Sequence, residues 1–177
     1  MDSAVRGGVD AFVALGSNLG RREAAVLEAV RRLETDGAAR VVRLSSLYET
    51  EPVDMEPARR FINALVQVRT LLSPTDLLIR LKTIEKRMGR EGGHNAPREI
   101  DLDMVAYGRE VREGADLTLP HPRYDVRAFV LVPLREVAPG FECPRTGRSV
   151  DTMIELLAHT RGVVRVCGRG VIPREQS

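Results

Sequence analysis

The order in which hydrophobic periodicity switches along residues 9–107 restricts the fold of this chain more than any other feature. Val9 to Leu15 is a short apolar run closed by Gly16-Ser17-Asn18-Leu19-Gly20, a buried strand entering a turn. From Arg21 to Leu33 the apolar residues Ala25, Val26, Ala29, Val30 and Leu33 recur at helical spacing, with Ser17 or Asn18 as the expected cap. Ala39 to Leu47 and Arg60 to Leu71 carry strand patterns. The stretch between them is expected to be a loop, with Glu51 to Pro57 too irregular for either period. Ser73-Pro74 opens a second helix, which Leu77, Leu78, Leu81, Ile84, Glu85 and Met88 carry to a stop at Gly89. Arg90 to Arg98 is a polar, glycine-bearing loop, and Ile100 to Tyr107 is a strand.

Strand, helix, strand, strand, helix, strand is the α+β, ferredoxin-like order βαββαβ, with helices packed on a mainly antiparallel sheet. C-terminal additions follow: a hairpin-like return over Gly108 to Leu119, helices over Asp125 to Val137 and Val150 to Thr160, and a strand within Gly162 to Val171. The expectation is one domain over residues 1–177, its core over roughly 9–160 and a tail over 161–177.

Composition narrows the function classes. With 43% hydrophobic and 29% charged residues the chain sits near the average of globular proteins, and its net charge of +2 lacks the basic excess of a general nucleic-acid binder. Lys82 and Lys86 are the only lysines among 27 cationic residues, so arginines matter only where they neighbour a site. Cys143 and Cys167 match no metal spacing and read as reduced thiols. Met1 to Asp10 holds no apolar stretch after a basic start, and no apolar run is long enough to span a bilayer, so a cytoplasmic protein without a membrane partner is expected.

The sharpest chemical signal is Pro97-Arg98-Glu99-Ile100-Asp101-Leu102-Asp103-Met104, where a loop becomes a strand carrying two acids two positions apart. Alternation along a strand sends Asp101 and Asp103 to one face and Ile100, Leu102 and Met104 to the other. Two converging carboxylates repel unless a cation sits between them, and hard oxygen donors favour Mg²⁺. Arg98 and the basic loop before the pair add the cations that phosphate chemistry needs. An Asp-x-Asp pair alone is equally compatible with a solvated strand edge. A second cluster, Leu119-Pro120-His121-Pro122-Arg123, holds His121 in a stiff turn, and Arg127 opens a helix where a cation opposes the dipole and so has another use. Gly16 to Gly20 lacks the Lys-Ser/Thr of a phosphate-binding P-loop and reads mainly as a turn.

Together, Ala14 to Gly20, Ser45-Ser46-Leu47-Tyr48-Glu49-Thr50, Phe61-Ile62-Asn63-Ala64, His94 to Asp103 and Leu119-Pro120-His121 resemble the hydroxymethyldihydropterin pyrophosphokinase family, in that family's order and over Val9 to Phe141. The resemblance implies Mg-dependent transfer of pyrophosphate from ATP to 6-hydroxymethyl-7,8-dihydropterin, a step of folate biosynthesis that releases AMP. It implies two Mg²⁺ ions on Asp101 and Asp103, which with Arg90 and Arg98 form the catalytic set. It places Phe61 and Phe129 on the two faces of the pterin, Asn63 and the backbone at Thr50 and Val53 on its polar edge, and Asp101 beside the substrate. Arg90, Arg98, His121 and Arg127 fall on the triphosphate, and Glu85, Met104 and Thr118 on the adenosine. The partners implied are small molecules only, with the protein a monomer. The chain departs from the best-known members in a shorter Arg90 to Arg98 loop, Asn95 in place of a tryptophan, Asp116 in place of a basic residue and Pro122 in place of an aromatic one.

Two other readings share parts of this pattern. A nucleotidyltransferase also joins a Gly-Ser turn to an Asp-x-Asp strand, but its turn lies close before the acids, whereas Gly16-Ser17 is far from Asp101. A ferredoxin-like RNA-binding module would need an aromatic strand motif that Ile62 to Val68 does not supply.

Overall fold

The computed structural model describes residues 7–50, 60–89, 99–157 and 163–167. Its strands are β1 (Val9–Ser17), β2 (Arg40–Leu44), β3 (Leu47–Thr50), β4 (Phe61–Thr70), β5 (Asp101–Tyr107) and β6 (Val163–Cys167), and its helices α1 (Arg22–Thr35), α2 (Pro74–Arg87), α3 (Ala128–Val137) and α4 (Val150–Glu155). All pairings are antiparallel, in the order β5-β1-β4-β3-β6, with β2 also on β4. If β2 and β3 are taken as one interrupted strand, this is the expected βαββαβ sheet, with the first and third strands central.

The interruption corrects the expected single strand over 39–47 and the expected loop after it. At Ser45 the ladder bends: its N–H donates to Leu65 O at 2.9 Å, but Leu65 N–H is accepted by the Ser45 hydroxyl at 2.9 Å rather than by a carbonyl. A side chain has replaced a backbone acceptor, so the strand breaks and resumes at Leu47. Tyr48 to Thr50 therefore belong to the sheet.

Gly16 and Ser17 also continue as strand, opposite Asn63 and Ile62, so the turn is taken by 18–20, with Gly20 at φ 65°. As a result neither Ser17 nor Asn18 is the N-cap of α1. That position is Arg21, whose side chain makes no capping bond. α2 follows expectation, with Pro74 in its first turn, the Ser73 hydroxyl accepting from Asp76 N at 3.2 Å, and Gly89 at φ 87° after its end. The helix expected from Asp125 starts at Ala128, after a 3-10 turn over Tyr124–Val126. α4 ends at Glu155, and residues 158–160 of its expected span lie outside the described residues. β6 places part of the expected tail against β3.

Both faces of the sheet carry a core. Under α1 and α2, Val13, Leu15, Ile62, Leu102 and Met104 meet Leu33, Leu77 and Leu81, all at most 3% exposed. Each such side chain contributes about 1.5–3 kcal/mol by leaving water. On the other face Phe12, Leu65, Val105 and Ala106 meet Tyr124, Leu131, Leu134 and Phe141. Val105 and Ala106 share that face because the pairing of β5 with β1 slips there, Phe12 opposing Ala106 and Val13 opposing Met104.

Candidate active site

Alternation decides which side chains reach the second face beyond its core. Asp101 and Asp103 do, while Ile100, Leu102 and Met104 are buried on the first face at 3% exposure or less. Register aligns Asp101 with Gly16, Gly16 with Asn63 and Asn63 with Tyr48, one row across four strands. Neighbouring strands lie about 4.8 Å apart, so the missing side chain at Gly16 leaves a hollow between the carboxylate and the amide. A Cβ there would lie 3.1 Å from Asn63 Oδ1 and 3.9 Å from the Phe61 ring. Asn63 is itself fixed, since its Nδ2 donates to Thr50 Oγ1 at 2.6 Å in a buried pair. The amide oxygen is thus the atom turned to the hollow, a preset acceptor at its edge.

β5 is the last described strand on its side of the sheet, and α2 closes its outward backbone between the two acids. Leu102 N–H donates to the buried Glu85 carboxylate at 2.6 Å, and Lys82 Nζ donates to Leu102 O at 3.2 Å and to Glu85 Oε1 at 2.9 Å. Lys82 also reaches within 3.8 Å of Asp103 Oδ1, whose side chain remains 40% exposed. Burial pushes the Glu85 carboxyl above the usual carboxylate range, opposed by Lys82 and the Leu102 N–H and aided by the charge of Asp101.

The opposite wall is cationic. The slip in β5 leaves Val105 O free to accept His121 N–H at 2.9 Å, which draws the imidazole toward Asp103. Burial holds His121 below the ordinary histidine range, Arg127 and Arg123 add to this, and Asp103 and Asp101 oppose it, so the ring is neutral at pH 7. His121 Nδ1 accepts from Arg123 N at 3.2 Å, which assigns the ring proton to Nε2. Arg127 is the N-cap of α3, with its guanidinium 5.7 Å from the centre of the Phe129 ring. Burial and the charge of Arg123 lower its pKa, against Asp103 and Asp101. The start of α3, Arg127 and the His121 ring thus act electrostatically on Asp101 and Asp103, and donors of this kind beside carboxylates are suited to an anion.

Of the sequence-derived site residues, Asp101, Asp103, His121, Arg127, Phe129, Phe61, Asn63 and Thr50 belong to this second-face region. The Glu85 and Met104 side chains are buried on the first face, and Thr118 lies in the return that closes through the Arg112 and Leu119 bridge. Val53, Arg90 and Arg98 lie outside the described residues. Sequence reasoning missed Lys82, which the i, i+3 spacing to Glu85 could have flagged, and Arg123, two residues after His121. It also read Gly16 as a turn glycine, because a strand end and a turn share the same local signals.

The family model described as 7,8-dihydro-6-hydroxymethylpterin-pyrophosphokinase (HPPK) matches residues 12–139. The 2-amino-4-hydroxy-6-hydroxymethyldihydropteridine pyrophosphokinase of Bacillus subtilis is 40% identical over 142 residues, covering 80% of this chain and 85% of that protein. The folic acid synthesis protein fol1 of Pneumocystis carinii is 39% identical over 145 residues, which are 81% of this chain and 20% of that longer one. A crystal structure of Plasmodium falciparum HPPK-DHPS with pteroate aligns with a TM-score of 0.65 at 14% identity, over 82% of this chain and 44% of that one, a likeness of fold alone. On the family match and the Bacillus relative, the chain belongs to the 7,8-dihydro-6-hydroxymethylpterin-pyrophosphokinase family and is a transferase of folate biosynthesis.

Proposed function

We propose that the chain transfers the terminal diphosphoryl group of ATP to the hydroxymethyl oxygen of 6-hydroxymethyl-7,8-dihydropterin, with the pterin over the Gly16 hollow and the triphosphate between β5 and the start of α3. The observation that supports this most is the row Asp101, Gly16, Asn63, Tyr48, which sets a carboxylate and a fixed amide oxygen on opposite sides of a gap shaped by a glycine. A flat ring in that gap has its donor edge on Asn63 Oδ1 and stacks on Phe61 and Phe129. Thr50 holds Asn63 in place, and the backbone of Thr50 and Val53 completes the polar edge.

The hydroxymethyl oxygen gives up its proton to solvent as it bonds to the β-phosphorus, while the bond from that phosphorus to the α-phosphate oxygen breaks and AMP leaves with the electron pair. The neutral His121 donates from Nε2 to a phosphate oxygen, and Arg127, Arg90 and Arg98 neutralise charge on the chain. Asp101 and Asp103 fit Mg²⁺: they are hard oxygen donors and partly exposed. Two Mg²⁺ ions held there would supply charge compensation on the bridging oxygens. Glu85, Met104 and Thr118 border the adenosine in this assignment. Most of the rate then comes from alignment of the two substrates. The partners are ATP and the pterin alcohol, and the protein acts as a monomer in the cytoplasm without nucleic acid. Among the described residues no helix is long and apolar enough to cross a membrane.

The test is product analysis with ATP, Mg²⁺ and the pterin alcohol. AMP and pterin diphosphate are expected, with near-complete loss in Asp101→Ala and Asp103→Ala. Pyrophosphate release in place of AMP would point to nucleotidyl transfer and overturn the assignment.

A further inference from the structure

The carboxylate of Glu136 takes no part in the chemistry above, yet it gathers three donors from one short stretch of the sheet. Ser46 N–H lies at 3.0 Å, the Ser46 hydroxyl at 2.8 Å and the Tyr48 hydroxyl at 2.7 Å. Ser46 follows the break that the Ser45 hydroxyl makes in the ladder, and its N–H turns to the helix. Along α3, Glu136 is seven residues after Phe129 and so lies on the same side of the helix. At the other end Arg127 acts on Asp103 and Asp101. The nine residue steps from Arg127 to Glu136 rise about 13 Å, and three strand spacings from β5 to β3 cover about 14 Å. The start of α3 therefore acts on the acids of β5, and Glu136 fastens its far end to β3.

We infer that Glu136 is a positioning residue for the pterin subsite: by tying α3 to Ser46 and Tyr48 it sets Phe129 against the hollow and holds β3 in register with β4, which keeps the Thr50 hydroxyl on Asn63. This rests on the pocket assigned above. Loss of a carboxylate kept only for stability would lower the melting temperature and leave ligand affinity in the folded protein unchanged. A carboxylate that sets the width of a ring-binding gap alters affinity for the ring while leaving the phosphate chemistry nearly intact.

The experiment measures equilibrium binding of the pterin alcohol, with kcat and both KM values, for the parent, Glu136→Gln, Tyr48→Phe and Phe129→Ala, all well below their melting temperatures. Glu136→Gln weakens charge-assisted bonds and is expected to raise pterin Kd and KM about tenfold, with kcat within about threefold and the KM for ATP within about twofold. Tyr48→Phe removes one donor and shifts pterin affinity about threefold the same way. Combined with Phe129→Ala, Glu136→Gln adds less than its separate effect, since both act through one wall. Parental pterin affinity in Glu136→Gln beside a weakened Phe129→Ala overturns the inference alone. Parental affinity in Phe129→Ala overturns the pocket assignment and the inference with it. Should Glu136→Gln not fold, Tyr48→Phe decides by the same criterion.

Discussion

The two faces of the sheet differ in how far their cores extend. Under α1 and α2 the apolar layer runs from Tyr107 and Val68 at one end to Leu15, Ile62 and Ile100 at the other, without a gap among the described residues. Under α3 and α4 it stops at Leu65 and Val105, and the rest of the face carries Asp101, Asp103, Gly16, Asn63 and Phe61. The difference teaches where chemistry can reside. A face sealed along its length holds the strands in register, and that rigidity lets the other face leave polar groups open and aligned.

If this division is right, the open half should tolerate substitution in stability and fail in rate, and the closed half the reverse. The largest effect is expected for Asp101→Ala and Asp103→Ala: a loss in kcat of about a thousandfold or more, worth roughly 4 kcal/mol of transition-state stabilisation, with the melting temperature little changed. Steady-state kinetics beside calorimetry checks both halves, and unfolding of either variant would break the division. On the closed face Leu81→Ala is expected to destabilise by about 2–5 kcal/mol in urea while the folded enzyme keeps its KM values. Smaller than both is the effect of Gly16→Ala, whose methyl group would enter the hollow beside Asn63 Oδ1. It should raise the KM for the pterin about tenfold and leave that for ATP unchanged, and an unaffected pterin KM would show that the ring does not lie there.

Much of this division was legible beforehand. Strand alternation assigned Asp101 and Asp103 to one side and their neighbours to the core, because a period of two leaves no choice once one side is apolar. The helix periods of α1 and α2 were equally plain. The break at Ser45 was not, since it depends on a hydroxyl finding Leu65 N–H across the sheet, a tertiary contact without a local signal. The role of Gly16 was hidden for the same reason: only the register with Asp101 and Asn63 turns an absent side chain into a gap. Glu85 was legible as a helix residue that the resemblance places on the adenosine and Lys82 only as one of two lysines, and only the fold joins both to the backbone of Leu102.

The smallest effect belongs to the outer surface of the closed half. Arg31 and then Arg32 hold Glu28 on α1 down to about 2, from the 4.5 of an unperturbed glutamate. A lowered carboxylate pKa stabilises the fold above pH 4.5, and that contribution is lost as the pH falls toward about 2. Glu28 is a third exposed, so solvent screening leaves about 0.5 kcal/mol. Acid titration of stability in Glu28→Gln should be flatter by that amount between these limits, and an equal slope would show the pair to be energetically silent.

The sealing of Leu102 by Glu85 and Lys82 has a consequence beyond catalysis. An unpaired sheet margin is a template on which another chain can dock and from which polymers can grow. Here both hydrogen-bonding groups of the residue between the acids are already occupied, and the flanking positions are charged. The stretch that carries Asp101 and Asp103 is therefore one that an incoming strand finds blocked, so two exposed acids and resistance to edge pairing coexist through the same few side chains.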